Sequence, residues 1–334
     1  MVLHRRRRWR AVLPAALWVA VAAAACGGPW QEAVTTAPPA ATSAPAVLRA
    51  AILADLPVVD GSTSTLPMRM LVLCGLLVVP CDWVGDPTWS PELHVWPLDP
   101  ESAGSARLTE HVPNSGTHDA YMSLVDGTSD VIVVAREPSD EEQAAAAAAG
   151  FSLEVRPVAL DAFVFLVNGT NPVKDLTLEQ LRGIYSGQIA NWVQVGGRRL
   201  PIQPYQRDPT SGSQELMLRL VMRDVPMVEA PDWLILYAMT GPFTALATDA
   251  TGIGYSVYYY AEYMQPESDA VAMIAVGGVL PTAETIASGE YPLVAGVYAV
   301  VRPDASPSAR AYFDWLVTEE GQGAIAGTGY VPLP

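Results

Sequence analysis

The alternation of β-rich apolar runs with helix-period segments is the feature that most constrains the fold of residues 57–334. Three runs have the β-branched and aromatic content of strands, at 131–135, 162–167 and 297–301. Three segments have the apolar spacing of helices, at 176–186, 214–223 and 308–326. This alternation is typical of an α/β sheet covered by helices. Because the stretch is too long for one simple core, we expect two lobes.

Residues 1–25 have the pattern of a bacterial export signal. A basic segment with arginine at positions 5 to 8 and 10 precedes an alanine-rich apolar run, and small residues lead directly into Cys26. The run V-A-A-A-A-C-G-G resembles a lipobox, which implies cleavage before Cys26, lipid attachment to its thiol and an extracytoplasmic protein anchored to the cell membrane. The alternative is an ordinary signal that leaves Cys26 as a thiol. An uncleaved anchor is disfavoured, because the run is short of the roughly 20 residues that span a bilayer.

The charge balance excludes two classes of partner. The chain has a formal net charge of −16, and without residues 1–25 it has 14 basic against 35 acidic side chains, or −21. A protein that binds nucleic acid or an anionic membrane would not have this balance. A receptor for a small oxyanion can have it, provided that its donors act at short range while salt screens the distant carboxylates.

Residues 26–56 are rich in Ala, Pro and Thr and predict a tether after Cys26. As a flexible coil, this tether would reach on the order of 30 Å. Residues 66–79 are apolar almost all round but too short to cross a bilayer, which favours a core helix. A helix running through both Cys74 and Cys81 would hold their Cα atoms about 10 Å apart, beyond disulfide reach, but Pro80 breaks it first. The pairing of these two cysteines therefore stays open at this point.

The stretch R-D-P-T-S-G-S-Q-E, residues 207–215, predicts an anion socket at a helix start. Ser211 can cap the helix while Gln214 reaches back in a capping box, and Gly212 lets a ligand approach the backbone N–H groups. These donors, the helix dipole and the planar guanidinium of Arg207 suit a tetrahedral oxyanion. The alternative is an ordinary capped helix beside a surface arginine.

Two other segments have the same chemistry. In D-G-S-T-S-T-L-P, Pro67 suits a first helical turn and Thr65 becomes the expected cap. In N-S-G-T-H-D, Ser115, Gly116 and Thr117 precede a helix expected at 119–125. Three donor-rich turns at three helix starts favour a shared oxyanion site.

The chain also resembles the phosphate-binding proteins of phosphate ABC importers. The resemblance covers nearly all of residues 57–334 and is most specific in N-G-T-N-P-V-K-D-L-T-L-E-Q-L-R-G-I-Y-S-G-Q-I-A-N-W, followed by P-I-Q-P-Y-Q-R-D-P-T-S-G-S-Q-E. The segments D-G-S-T-S-T-L-P and T-G-I-G-Y-S, and the ending Y-F-D-W-L-V-T-E-E-G-Q-G-A-I-A-G-T-G-Y-V-P-L, share it. It implies a two-lobed, type II periplasmic-binding-protein fold with the ligand cleft between the lobes. Lobe I would comprise residues 57–160 plus 290–334, and lobe II residues 161–289.

The resemblance also implies the ligand-binding residues. They fall on the three donor-rich turns and on the position after the strand at 131–135: Ser64, Thr65, the N–H of Leu66, Ser115, Gly116, Thr117, Arg136, Arg207, Ser211, Gly212 and Ser213. The register of residues 114–117 is open, since the spacing to Asp130 is longer than in relatives. Where the family commonly has a serine and then Asp or Arg, this chain has Ala135 and Arg136.

The implied function is capture of inorganic phosphate and its delivery to an ABC permease by a monomer without cofactor, metal or enzymatic activity. The enzyme alternative is a secreted phosphoester or serine hydrolase, but the sequence has no G-x-S-x-G elbow and its sole lysine, Lys174, lies in no S-x-x-K pattern. His94, His111 and His118 match no zinc signature. A third possibility is a tethered phosphate sensor or adhesin on the same fold.

Selectivity between phosphate and sulfate depends on an acceptor for the proton that phosphate keeps near neutral pH. In the best-known relatives this acceptor is an Asp, at the position matched here by Arg136. Arginine has donors only, so an acceptor would have to come from another carboxylate, with Asp60, Asp119 and Glu137 nearby in sequence. No motif places any of the three at the ligand. We therefore expect weak discrimination against sulfate.

Overall fold

The computed structural model describes residues 45–86, 90–265 and 268–334. The export signal, Cys26 and the first part of the predicted tether lie outside the described residues. The end of the tether prediction is wrong, because residues from Pro45 to Ala54 form a helix, α1, with Leu48 and Ile52 buried. This helix packs against the helix that begins at Pro307.

The other α-helices alternate with the strands along the chain. They are α2 (Leu66–Leu77), α3 (Ala103–His111), α4 (Thr117–Asp126), α5 (Asp140–Ala148), α6 (Leu178–Tyr185), α7 (Gly212–Leu216), α8 (Gly241–Thr248), α9 (Ala283–Ala287), α10 (Pro307–Trp315) and α11 (Glu319–Gly327). Short 3₁₀ turns lie at Thr63–Thr65, Trp192–Val195 and Asp232–Leu234, and π-helical turns at Met217–Met222 and Tyr260–Met264. None of the helices in the described part of the chain is long and apolar enough to cross a membrane.

The strands form one eight-stranded mixed sheet and three small two-stranded sheets within the described residues. The strands are β1 (Val59–Gly61), β2 (Cys81–Asp86), β3 (Ser90–Pro97), β4 (Val131–Val134), β5 (Glu154–Asn168), β6 (Asp175–Leu176), β7 (Gln203–Pro204), β8 (Gln206–Arg207), β9 (Ile235–Leu236), β10 (Gly252–Val257), β11 (Val271–Met273), β12 (Ala275–Val276), β13 (Val294–Val301) and β14 (Val331–Pro332). The large sheet has the order β1-β4-β13-β5-β10-β7, with β11 and β14 also paired to β5.

Strand β5 joins two halves of the large sheet. Its first part, up to Ala162, pairs antiparallel with β13, which continues the sheet through β4 to β1. From Phe163 onward, β5 pairs instead with β10, which leads to β7. The β5 side chains from Ala162 to Asn168 are all buried, since both faces of the strand are covered there.

Local sequence explains where the helices begin. Helix α5 starts with a capping box, in which the Ser139 hydroxyl accepts from the Glu142 N–H at 3.3 Å and the Glu142 carboxylate accepts from the Ser139 N–H at 2.8 Å. The single helix predicted at 308–326 is wrong, because the chain forms α10 and α11 instead. The Thr318 hydroxyl accepts from the Gly321 N–H at 3.1 Å and so caps a new helix.

The structure joins Cys74, in α2, to Cys81, the first residue of β2, with Cα atoms 6.3 Å apart. Helix α2 ends at Leu77, so the chain turns back before the second cysteine. The bond therefore links the core helix to the hairpin formed by β2 and β3. The strands predicted at 131–135, 162–167 and 297–301 are confirmed as β4, the second part of β5, and β13.

Candidate functional site

Three helix starts converge on a cavity of about 360 Å³. This volume lies within the range of roughly 300–1,000 Å³ that is usual for small-molecule sites. Eight of the eleven ligand-binding residues expected from the sequence line it: Ser64, Ser115, Gly116, Thr117, Arg207, Ser211, Gly212 and Ser213. The sequence did not single out Ser62, Thr63 or the segment 237–239, which also line it. Thr65, Leu66 and Arg136 do not.

The first turn precedes α2. Thr65 was expected to cap this helix and touch the ligand, but its hydroxyl donates to the carbonyls of Ser62, at 2.9 Å, and Val133, at 2.6 Å. The N–H of Leu66 is likewise bonded to the carbonyl of Thr63. Thr65 is therefore at the N-cap position of α2 but its hydroxyl makes no capping bond, and this hydroxyl and the Leu66 N–H are both bonded within the protein. Their ligand-binding roles stay predictions. The groups left to face the cavity belong to residues 62–64.

The second turn precedes α4, and hydrogen bonds to Asp60 hold it in place. The buried carboxylate of Asp60 accepts from the Ser115 hydroxyl at 2.6 Å and from the Ser115 N–H at 3.0 Å. Two residues later, the Thr117 hydroxyl lies 2.8 Å from that of Ser62. Gly116 allows the turn, since its φ of +93° is in the region that favours glycine. The first and second turns are thus bonded directly to each other.

A buried arginine that sequence reasoning missed holds these two turns in place. Arg69, in α2, is fully buried and donates to the carbonyls of Ser62 and Pro113 and to the side chain of Asn114. Burial lowers the pKa of Arg69 to about 10, although the nearby Asp60 carboxylate acts to raise it. The only sequence signal was an arginine within an otherwise apolar helix. Two of its partners, Pro113 and Asn114, lie 44 and 45 residues away in the sequence, so nothing local showed that it joins the two turns.

The third turn precedes α7. The Ser211 hydroxyl accepts from the Gln214 N–H at 3.2 Å, as expected for a cap. The expected capping box is wrong in its other half, because the Gln214 side chain does not reach back to the cap. Its carbonyl oxygen accepts from the Tyr255 hydroxyl and, at 3.3 Å, from the Arg207 N–H. Gln214 therefore connects the turn to the strand that carries the arginine.

The Arg207 guanidinium is held by the end of β9 and by the segment that follows it. Nε donates to the Leu236 carbonyl at 2.8 Å and Nη2 to the Tyr237 carbonyl at 3.1 Å, while Nη1 lies 3.1 Å from Met239 Sδ. Arg207 is only 4% exposed, yet it lines the cavity. These contacts orient the planar guanidinium, whose remaining N–H groups suit a carboxylate or a tetrahedral oxyanion.

The second and third turns also touch. A Cβ atom added to Gly212 would lie 2.7 Å from Thr117 Oγ1, which is closer than side chains tolerate. The absence of a side chain at Gly212 is therefore what lets the start of α7 approach the start of α4. The N–H groups of Gly212 and Ser213 are in the first turn of α7, where the helix supplies no acceptor for them.

Arg136 is not among the residues that line the cavity, so its assignment as a ligand residue stays a prediction that this placement does not support. Its two terminal nitrogens donate to the two carboxylate oxygens of Glu142, each at 2.7 Å. Burial by itself would raise the pKa of Glu142, but the hydrogen bonds and charge of Arg136 and the Ser139 N–H hold it below its ordinary value. The capping carboxylate of α5 thus holds Arg136 outside the cavity lining. The expectation of weak sulfate discrimination rested on Arg136 facing the ligand and loses its premise.

The three acids weighed as proton acceptors lie in different places. Asp60 is committed to the second turn, and Glu137 forms an exposed ion pair with Arg219 at 3.1 Å. Asp119 lines the cavity but is exposed. Asp208 also lines it, and hydrogen bonds from the hydroxyl and N–H of Thr210 hold the pKa of its carboxyl below the ordinary value.

No metal signature was found in the sequence. Among the described residues, no cluster of three or more His, Cys, Asp or Glu side chains is arranged to hold a metal ion. His118 lines the cavity and has its Nδ1 3.1 Å from Glu142 Oε1. His111 lies in α3, with its Nδ1 bonded to the Arg107 carbonyl at 2.8 Å.

The sequence is similar to a known family and to known proteins. Residues 84–320 match the family described as the PBP superfamily domain. The chain is 27% identical over 209 residues to the phosphate-binding protein PstS of Bacillus subtilis, a match that covers 62% of this chain and 64% of that protein. It is 25% identical over 237 residues to the protein SphX of Synechococcus elongatus, covering 66% of this chain and 68% of that protein. The chain thus matches less than two thirds of the Bacillus protein's length.

Solved structures share the fold. A substrate-binding protein from Clostridium perfringens, solved with bound phosphate, has a TM-score of 0.62 at 22% identity and covers 83% of this chain and 98% of its own. An ABC-type phosphate transport receptor from Vibrio cholerae has a TM-score of 0.58 at 23% identity, covering 83% of this chain and 99% of its own. The α/β, two-lobed fold predicted from the sequence is confirmed, as is the resemblance to phosphate-binding proteins.

Proposed function

The chain belongs to the PBP superfamily, and from that premise we propose that it captures inorganic phosphate, or a similar tetrahedral oxyanion, in the cavity between its two lobes. The observation that supports this most is the convergence of three helix starts and the buried Arg207 on one small volume. Helix starts present N–H donors and the positive end of the helix dipole. No covalent step is required of such a site: its function is binding.

Local donors explain how an acidic protein can bind an anion. The formal net charge is −16, but exposed charges more than a Debye length away, about 8 Å at physiological ionic strength, are largely screened. Hydroxyl and N–H groups that line the cavity act at hydrogen-bond distance, where screening is weak. Arg207 adds the cationic donor, and its carbonyl contacts keep it in one orientation.

Binding would be coupled to lobe closure. Within the predicted boundaries, Thr117 belongs to lobe I and Gly212 to lobe II, and these residues touch at the cavity. The ion pair between Glu137 and Arg219 also crosses from one predicted lobe to the other. A ligand that contacts both lobes binds the closed form better than the open form, and this difference in affinity shifts the equilibrium toward closure.

The proposal extends to an extracytoplasmic protein that is lipidated at Cys26 and delivers its ligand to a membrane permease of the ABC type. The V. cholerae relative, an ABC-type phosphate transport receptor, supports the part about delivery to a permease, and the pattern of residues 1–26 supports export and lipidation. Cys26→Ala should release the protein into the medium or block its processing. Unchanged processing and membrane retention would refute the lipoprotein assignment. Neighbouring permease and ATPase genes would favour transport, and their absence would favour the sensor alternative.

The decisive experiment is calorimetric titration of the mature protein with phosphate, sulfate and molybdate. Loss of the charge-assisted bonds of Arg207, roughly 1.5–3 kcal/mol each, should make Arg207→Ala bind phosphate 10- to 1000-fold more weakly. The matched control is Arg198→Ala, which removes an exposed arginine and should leave binding unchanged. Equal phosphate affinities in the wild type, Arg207→Ala and Arg198→Ala would mean that the site lies elsewhere. Turnover of a phosphoester would instead support the hydrolase alternative.

A further inference from the structure

His118 lines the cavity but is not part of the three donor-rich turns. It is the second residue of α4, its side chain is 30% exposed, and it lines the cavity. On the other side of the ring, Nδ1 lies 3.1 Å from Oε1 of Glu142, a residue that is fully buried. Because Nδ1 is engaged with a group outside the cavity lining, Nε2 is the ring nitrogen left for a ligand.

The environment of Glu142 fixes which nitrogen carries the proton. Both oxygens of its carboxylate accept from Arg136, and Oε2 also accepts from the Ser139 N–H at 2.8 Å. A carboxylate held by an arginine in this bidentate way is ionised and can only accept. The Nδ1 atom of His118 must therefore donate to Glu142. In the neutral ring, this leaves Nε2 with a lone pair and no hydrogen.

We propose that His118 Nε2 is the acceptor by which this site distinguishes a protonated oxyanion, such as hydrogen phosphate, from sulfate. This inference rests on the proposed function. Hydrogen phosphate can donate its proton to Nε2, whereas sulfate has no proton and would set an oxygen lone pair against that of the ring. The buried pair of Arg136 and Glu142 then acts as a positioning device for His118.

The other charged groups of the site lack the combination of placement and fixed orientation that His118 has. Asp119, the next residue in α4, is exposed, and Asp60 is bonded internally to the second turn. Arg207 lines the same cavity and supplies donors only. Asp208 lines it as well, but one of its oxygens is bonded to Thr210. His118 combines a place in the lining with a buried partner that fixes its orientation.

The test compares phosphate and sulfate affinities by competition calorimetry at pH 8 in the wild type, His118→Asn and His111→Asn. Asparagine can keep a donor toward Glu142 but places no acceptor at the position of Nε2. We expect His118→Asn to lose about tenfold to a hundredfold of its preference for phosphate over sulfate, mainly through weaker phosphate binding. His111 is the matched control, because its Nδ1 is also hydrogen-bonded but it lies outside the cavity lining, so the preference should not change.

A second measurement does not depend on a variant that folds. Nitrogen-15 NMR of histidine-labelled wild-type protein at pH 8 should show His118 with its proton on Nδ1, and a shift of the Nε2 signal when phosphate is added. A proton on Nε2, or an unchanged phosphate preference in His118→Asn, overturns the inference while phosphate binding stands. Failure of the wild type to bind phosphate, sulfate or molybdate defeats the proposed function itself, and this inference with it.

Discussion

Replacing Asp161 with asparagine should change how stability depends on pH. Asp161 lies in β5 next to the point where this strand changes partners, and it is 2% exposed. Its Oδ1 accepts from the N–H groups of Ala162, at 2.8 Å, and Tyr259, at 3.0 Å, while Oδ2 has no partner within the described residues. Burial raises the pKa of Asp161 from 3.8 to about 7, against the effect of these N–H groups.

The sign follows from where the proton is bound. Between pH 4 and pH 7 the folded protein keeps a proton on Asp161 that the unfolded chain has lost, so the free energy of unfolding falls as pH rises through this window. One unit of pKa corresponds to about 1.36 kcal/mol, so the full shift is worth about 4 kcal/mol, and the part lost between pH 5 and pH 8 is about 2–3 kcal/mol. Above pH 8 the contribution of this residue is constant.

Urea unfolding at pH 5 and pH 8 measures this contribution. The fall in the free energy of unfolding between the two pH values should be smaller by about 2–3 kcal/mol in Asp161→Asn than in the wild type. Asp224→Asn, at an exposed position, is the matched control and should follow the wild type. If Asp161→Asn also follows the wild type to within about 0.5 kcal/mol, then Asp161 is not protonated in the folded protein and the reasoning fails.

Two further predictions concern packing and the disulfide. Gly212→Ala should weaken phosphate binding at least tenfold, because its Cβ would lie 2.7 Å from Thr117 Oγ1, whereas Gly323→Ala, which meets nothing within 4 Å, should bind as the wild type does; equal affinities measured by calorimetry would show that this contact is not needed. Removing the disulfide by replacing Cys74 and Cys81 with alanine should lower the free energy of unfolding by about 2–3 kcal/mol, the loop entropy expected for seven-residue spacing. Urea unfolding checks this, with dithiothreitol as the control: it should weaken the wild type and leave the variant unchanged.

The parts of the site that sequence predicted are those whose chemistry is local. Ser211 caps the helix that follows it, and Arg207 lies four residues earlier in the same stretch, so spacing alone brought them together. The failures have the opposite character. Arg69 bonds to the Pro113 carbonyl, 44 residues away in the sequence, and Arg136 lies at a matched position but is paired with Glu142. A motif predicts the backbone position of a side chain but not the partner to which that side chain bonds.

For the fold, the strands were predicted better than the ends of the helices. Strand β4 is a continuous buried run, and β13 alternates between partly buried and buried residues before ending in three buried ones; composition reveals both patterns whatever their partners are. Helix ends were less predictable: α10 stops at Trp315 because Thr318 begins a new cap, although the apolar spacing continues through both helices. The packing of α1 was missed because its alanine- and proline-rich surroundings masked Leu48 and Ile52.

Strand β5 lies at the centre of the large sheet, beside a strand that is distant from it in sequence. Strand β13 pairs Val294 with Ala162, more than 130 residues earlier, and it also separates β5 from β4. Until β13 is in place, β4 and β5 each present an unpaired edge to other chains. Such long-range pairing slows folding and prolongs exposure to aggregation. A chain truncated before Val294 should therefore aggregate rather than yield a partly active protein, and the pace of folding should be set by residues that never contact the ligand.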